Sequence, residues 1–171
     1  MKKILVVLLA VIGFFACTKN MPYESEFGKS YKVFQDFKRS SGNSYVYVTT
    51  TSSWTGYSSK TTITVNSGKV IRRAFLSQFY SEKVPEQNGI KENWVEEQNE
   101  LGTHESGFRA ITLDAVYEMC RKDFLTVDPN ANEVIFRAQN AGMISVCGYI
   151  PHGCADDCFQ GVTIESITPV Q

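Results

Sequence analysis

The sequence predicts an α+β domain: an antiparallel β-sheet of about five to six strands with two helices packed on one face. Three observations carry this. A helical stripe of aromatic residues stands near the N-terminus, and a second apolar helical stripe lies at 112–125. Each is followed by three β-rich runs joined through short connections, an order that favours antiparallel neighbours over crossovers.

Each element has a local cause. From Phe27 to Arg39 the residues Phe27, Tyr31, Phe34 and Phe37 recur at steps of four and three, so one face is apolar, and Ser40-Ser41-Gly42-Asn43 stops the helix. Ser44 to Thr51 and Thr61 to Val65 are rich in tyrosine, valine and threonine and read as strands. Ser52 to Lys60 reads as the loop between them. Asn66-Ser67-Gly68-Lys69 is a turn signal, so Thr61–Val65 and Val70–Tyr80 form a hairpin. Glu82 to Gly107 turns polar; within it Trp94, Gln98 and Leu101 stand at helical spacing, which suggests a short surface helix over Glu92 to Leu101. Thr112 caps the second helix, Asp114 complements its dipole, and Leu113, Val116, Tyr117, Cys120 and Phe124 form its buried stripe. After the turn Asp128-Pro129-Asn130 come three β-rich runs: Glu133–Ala138, Met143–Ile150 and Val162–Thr168.

The first residues carry an address. Lys2 and Lys3 precede an apolar run, Ile4 to Phe15, that is shorter than the roughly 20 residues needed to span a bilayer and that meets Ala16-Cys17. Phe14-Phe15-Ala16-Cys17 resembles the lipobox of bacterial lipoproteins, with phenylalanines where that motif has Leu and a smaller residue. The resemblance implies cleavage before Cys17, lipid on that cysteine, and attachment to a membrane of the bacterial cell envelope, outer membrane or surface. Two acyl chains, at about 0.8 kcal/mol per buried methylene, anchor stably where one anchors marginally. The expected organisation is a signal peptide at 1–16, a tether at 17–26 and a single domain at 27–171. Taking the first 16 residues from 171 leaves 155, enough for one core.

Subtracting Cys17 from five cysteines leaves Cys120, Cys147, Cys154 and Cys158, an even set that in an exported chain points to two disulfides. Four cysteines allow three pairings. Because Cys120 shares the apolar helical face, the favoured arrangement is one bridge from Cys120 into the 147–158 segment and one bridge inside it. Zinc on Cys147, His152, Cys154 and Cys158 fits poorly, since the cysteine spacing lacks the two short knuckles of structural sites.

Other chemistry is weakly marked. With 17 basic and 18 acidic residues and no basic run, nothing invites nucleic acid, and no glycine-rich phosphate loop appears. His104-Glu105 begins a metalloprotease-like helix motif, but Phe108 takes the place of the second histidine. Asp128-x-Asn130-x-Asn132 begins like a calcium loop, yet Glu133 and Gln139 occupy the positions that need glycine and glutamate. No serine nucleophile elbow is present, and oxidised cysteines leave no thiolate. Neither a catalytic residue, a metal nor a cofactor is therefore assigned. Trp54 and Tyr57, set among glycine and small hydroxyl residues, form a candidate binding loop.

Taken together, Tyr45-Val46-Tyr47, Val65 with Gly68-Lys69-Val70, Thr112-Leu113-Asp114, Ala141-Gly142-Met143 and Ala155-Asp156-Asp157 resemble a family of small bacterial envelope lipoproteins carrying a domain of unknown function. The likeness extends over about Tyr31 to Ile167. The family often has Tyr-Gly-Tyr-Pro where this chain has Ala141-Gly142-Met143-Ile144, and it usually lacks the cysteine cluster. It carries over no catalytic residues. The expectation is a lipid-anchored, non-enzymatic binding or structural module whose partner is an envelope protein or glycan. The alternative is a small hydrolase using Asp156, Asp157 and a histidine.

Overall fold

The computed structural model describes residues 21–170, so the signal segment and Cys17 lie outside the described residues. Helix α1 spans Glu24–Ser40, starting three residues before the expected boundary. Glu24 and Glu26 occupy its first turn and Lys38 and Arg39 its last, each sign matching the pole it faces. Phe27, Ser30 and Phe34 are its buried face. Gly42 and Asn43 then adopt positive φ (60° and 56°), and the Asn43 amide returns 2.8 Å to the Lys38 carbonyl, which ends the helix and turns the chain into the sheet.

Seven antiparallel strands follow: β1 (Tyr45–Ser52), β2 (Tyr57–Asn66), β3 (Lys69–Phe79), β4 (Gly89–Glu97), β5 (Asn132–Arg137), β6 (Val146–Pro151) and β7 (Gln160–Pro169). They form one sheet in the order β4-β3-β2-β1-β7-β6-β5. The expected β2–β3 hairpin is present, with Ser67 and Gly68 both at positive φ (48° and 78°), the backbone a tight two-residue turn demands. Two meanders, β1–β4 and β5–β7, are thus each built from sequence neighbours. A single ladder, β1 against β7 with Tyr45 opposite Pro169, seams them together.

The strand alternation buries one face: Tyr45, Tyr47, Ile63, Val65 and Phe75 from the first meander, Cys147, Val162 and Ile164 from the second. The chain leaves β4 at one edge and must re-enter as β5 at the other. On the way it carries helix α2 (Leu113–Met119) and a π-helical turn, Cys120–Phe124, onto that same face beside α1. The Thr112 hydroxyl accepts from the Ala115 amide at 3.4 Å, the expected cap. The helix expected as one piece over 112–125 therefore changes winding at Cys120, which is fully buried.

One expectation is corrected. Glu92–Leu101 is not a helix; most of it is the edge strand β4, paired with β3 from Phe79↔Gly89 to Arg72↔Glu97. The inward residues of β4 are Glu92, Trp94 and Glu96, so the alternation that marks a strand is polar here and its apolar period is absent. Seven strands replace the five to six expected. Two boundaries also move. Met143 lies in a turn, with Ala141 and Gly142 at positive φ, and β6 begins at Val146. The 52–60 loop shrinks to a short turn, because Tyr57 already belongs to β2.

The core pays its polar debts with tyrosines. Phe34 stacks on Tyr117 at 5.0 Å between ring centres. The Tyr117 hydroxyl meets Ser30 Oγ at 2.8 Å and accepts from the Ile144 amide at 3.0 Å. Tyr45 Oη accepts from the Leu113 amide at 3.0 Å, and Tyr47 Oη donates to the Ile111 carbonyl at 2.5 Å. Each hydroxyl satisfies a loop or helix-end group that burial would otherwise leave unpaired. Burial pushes the Tyr45 phenol up to about 12 and Tyr47 well above its ordinary value, so both stay neutral donors and acceptors.

Candidate functional site: an uncharged groove on the open half of the sheet

The helices cover the buried face only as far as the Tyr47–Ile63 level. Beyond it, the positions of the same parity are Thr49 and Thr51 on β1, paired with Thr61 and Ser59 on β2. Next to them on β3 stand Phe75 and Ser77. Apolar side chains thus give way to hydroxyls where the helical cover ends, and a groove of about 310 Å³ opens between residues 106–108 and the start of β7 at 161–163. Among the described residues no charged side chain lines it. Several hydroxyls are held in place: Thr51 and Ser59 meet at 2.7 Å, and Thr61 Oγ1 accepts from the Phe108 amide at 2.8 Å. Ser77 is 1% exposed and its hydroxyl has no hydrogen-bond partner.

One rim is fixed by a buried ion pair. Arg73 on β3 and Glu96 on β4 are 4% and 0% exposed and joined by two hydrogen bonds, 2.7 and 2.8 Å. Glu96 also accepts from the Gly102 and His104 amides at 2.8 and 2.7 Å, while Arg73 donates to the His104 and Phe108 carbonyls. The pair therefore lashes residues 102–108 across the sheet. Trp94 completes the rim: His104 stacks on it at 4.2 Å, Arg73 lies 4.7 Å from its ring centre, and its indole N–H donates to Glu92 at 2.7 Å. Ser106 donates to the same Glu92 oxygen, and these two donors hold that carboxyl below the usual carboxylate range. Gly107, at φ 82°, permits the close approach. A Cβ there would lie 2.8 Å from the Phe75 ring.

The other rim joins the two expected contact surfaces. The Ser53 hydroxyl, in the turn that carries Trp54, donates to Asp157 at 2.6 Å. Asp157 sits inside the Cys154–Cys158 loop, and a second depression runs between them along Ser52, Phe159 and Thr163. Trp54 stands 76% exposed at the tip, and Tyr57 turns into the groove. Cys154 and Cys158 are at disulfide distance, as are Cys120 and Cys147, with Cα separations of 6.3 and 6.0 Å. This is the arrangement the position of Cys120 led us to expect.

The remaining candidates are placed apart. His104 is bound to the Glu96 rim, whereas His152 Nδ1 lies 3.1 Å from the Asn130 carbonyl beyond β5 and β6. Among the described residues neither Asp156 nor Asp157 bonds a histidine, and no group of three His, Cys, Asp or Glu is placed to hold a metal ion. Asp128 forms the expected turn, its side chain accepting from the Asn130 amide at 3.0 Å. Sequence reasoning missed the Arg73–Glu96 pair and the groove. The hydroxyls at alternating positions 49, 51, 59 and 61 were the legible sign of the groove, because a buried face rarely switches from Tyr and Ile to Thr and Ser without losing its cover.

No protein-family model matches the chain, and no curated protein and no solved structure matches it either.

Proposed function

We propose that the chain is a lipid-anchored, non-enzymatic binding module of the bacterial cell envelope, held to a membrane through Cys17. The observation that carries the binding reading is the groove itself: a stretch of sheet beyond the reach of the helices whose two rims are held by internal contacts, one by Arg73 and Glu96, the other by the Ser53–Asp157 contact and the Cys154–Cys158 pair. Preorganised rims reduce the ordering cost of recognition. The cysteine pairs suit an oxidising compartment. Among the described residues no helix is long and apolar enough to cross a membrane.

The test is the intact mass of protein extracted from membranes, before and after reduction and alkylation. A chain beginning at Cys17, heavier by a diacylglyceryl group and with four thiols appearing only on reduction, supports the reading; a full-length, unacylated, soluble chain overturns it. Retained turnover of ester, amide or glycoside substrates that is lost in Asp157→Ala would overturn the non-enzymatic part.

A further inference from the structure

We propose that the groove binds a neutral oligosaccharide, a deeper statement of the binding-module reading and resting on it. The chemistry of the lining selects this class. Thr51, Tyr57 and Ser59 present hydroxyls, with those of Thr49 and Thr61 buried beneath them, and each is able to donate and accept, which is the pattern that sugar hydroxyls require. Among the described residues the hydroxyls of Thr49 and Tyr57 make no hydrogen bond to a protein group, and Thr61 and the Thr51–Ser59 pair each keep a free proton after their internal bonds. Tyr57 adds an exposed ring, Phe75 lies buried in the lining, and Trp54 stands exposed in the turn between β1 and β2 that also carries Ser53.

Charge excludes the acidic alternatives. Among the described residues Asp157 and Glu92, at the two rims of the groove, are negative, Arg73 is spent on Glu96, and Lys60, on the opposite face of β2, is paired with Glu165. An anionic glycan or a phosphate would meet repulsion without a partner. A peptide is disfavoured for a different reason. β2 and β3 are paired on both sides along the groove, and although β1 and β7 part beyond Thr49↔Ile164, the stretch of β1 left unpaired on that side, Thr50 to Ser52, is shorter than an ordinary strand and gives an added peptide few main-chain bonds. The volume of about 310 Å³ suits a short run of pyranose rings lying along the face. Ser77, buried without a partner and in register beside Ser59, is one more hydroxyl at the floor of this face.

The full chain in mild detergent, labelled with ¹⁵N, is titrated separately with maltotetraose, cellotetraose, tetra-N-acetylchitotetraose and tetra-alanine. The expected result is saturable binding of at least one sugar, with amide shifts centred on residues 49–61 and 106–108. Tyr57→Ala and the Thr51→Val/Ser59→Ala pair should each weaken it at least about tenfold, a loss of about 1.4 kcal/mol. Thr62→Ala, on the opposite face, should leave it unchanged, and all variants should melt with the wild type. Absence of saturation by every sugar up to about 10 mM, beyond the weak end of specific recognition, would overturn the proposal. So would sugar shifts confined to another surface. Tetra-alanine binding at the groove in place of sugar would overturn the carbohydrate assignment while leaving the binding module standing. New reducing ends released from a sugar would overturn the module reading as well.

Discussion

Replacing Glu96 by glutamine keeps the volume of the side chain and removes only its charge. In the folded protein that change leaves Arg73, 4% exposed, without a counter-ion, and it puts an amide N–H₂ against guanidinium donors. Breaking a buried pair from one side costs about 3–5 kcal/mol, because the remaining charge is neither solvated nor paired. For a domain of this size each kcal/mol moves the melting point by about 2–4 °C, so a fall of roughly 6–20 °C is expected. Urea unfolding followed by Trp94 fluorescence in a Trp54→Phe background reads it, since Trp94 sits between His104 and Arg73. The double variant Arg73→Met/Glu96→Gln leaves no unpaired charge, and its amide oxygen still accepts from the His104 N–H, so it should recover at least half of the loss. A Glu96→Gln cost under about 1 kcal/mol, or a double variant that loses the sum of both single changes, would refute the claim that this pair holds residues 102–108.

Acid should expose the same carboxylate. Hydrogen bonds from Arg73 hold Glu96 far below the ordinary carboxylate range, against the opposing effect of burial. The unfolded chain takes up a proton there near pH 4.3 while the folded chain does not, so the stabilisation is complete above that pH and declines as pH falls below it, by up to about 1.4 kcal/mol per unit. A pH series of urea midpoints should show this extra slope in the wild type and not in Glu96→Gln. The cysteine pairs should differ in accessibility: Cys154 and Cys158 lie in an exposed loop, whereas Cys120 and Cys147 are fully buried. Mild reductant with alkylation should label the first pair in the native state and the second only on unfolding, as peptide mapping would show. Loop entropy sets the cost of losing each link, about 3.5 kcal/mol for Cys120→Ala/Cys147→Ala and about 2 for Cys154→Ala/Cys158→Ala, measured by urea midpoint. Gly161→Ala should destabilise by about 1–3 kcal/mol in the same assay, because its Cβ would stand 2.5 Å from the Gly148 Cα and 2.7 Å from the Phe159 ring.

Particular residues explain what could be read in advance. Asn66-Ser67-Gly68 marked its hairpin because left-handed backbone demands such residues, and Thr112 marked its helix because a cap acts locally. Cys120 could be set in the core by its helical face alone. β4 escaped because its inward side chains, Glu92, Trp94 and Glu96, answer to Arg73 and to residues 102–108, partners 6 to 23 positions away that become neighbours only after folding. Trp94, Gln98 and Leu101 kept a helical spacing by coincidence. The groove escaped for a related reason: no local pattern tells how far along a sheet two helices will reach. Tyr57 stands among glycine and small hydroxyl residues, a composition that reads as a loop, yet its pairing with Phe79 makes it the first residue of a strand.

The seam between β1 and β7 has a consequence for biogenesis. Polypeptides emerge N-terminus first, so the four-stranded half is complete while its last strand in the sheet order, β1, still shows a bare edge from Tyr45 to Thr49, waiting for residues 164–169. Until residues 160–169 arrive, that edge is a template for any extended segment nearby, including the same strand of another copy. Molecules are therefore most vulnerable to clumping before β7 is in place, and losing that one strand would leave the β1–β4 and β5–β6 ladders with no strand in common.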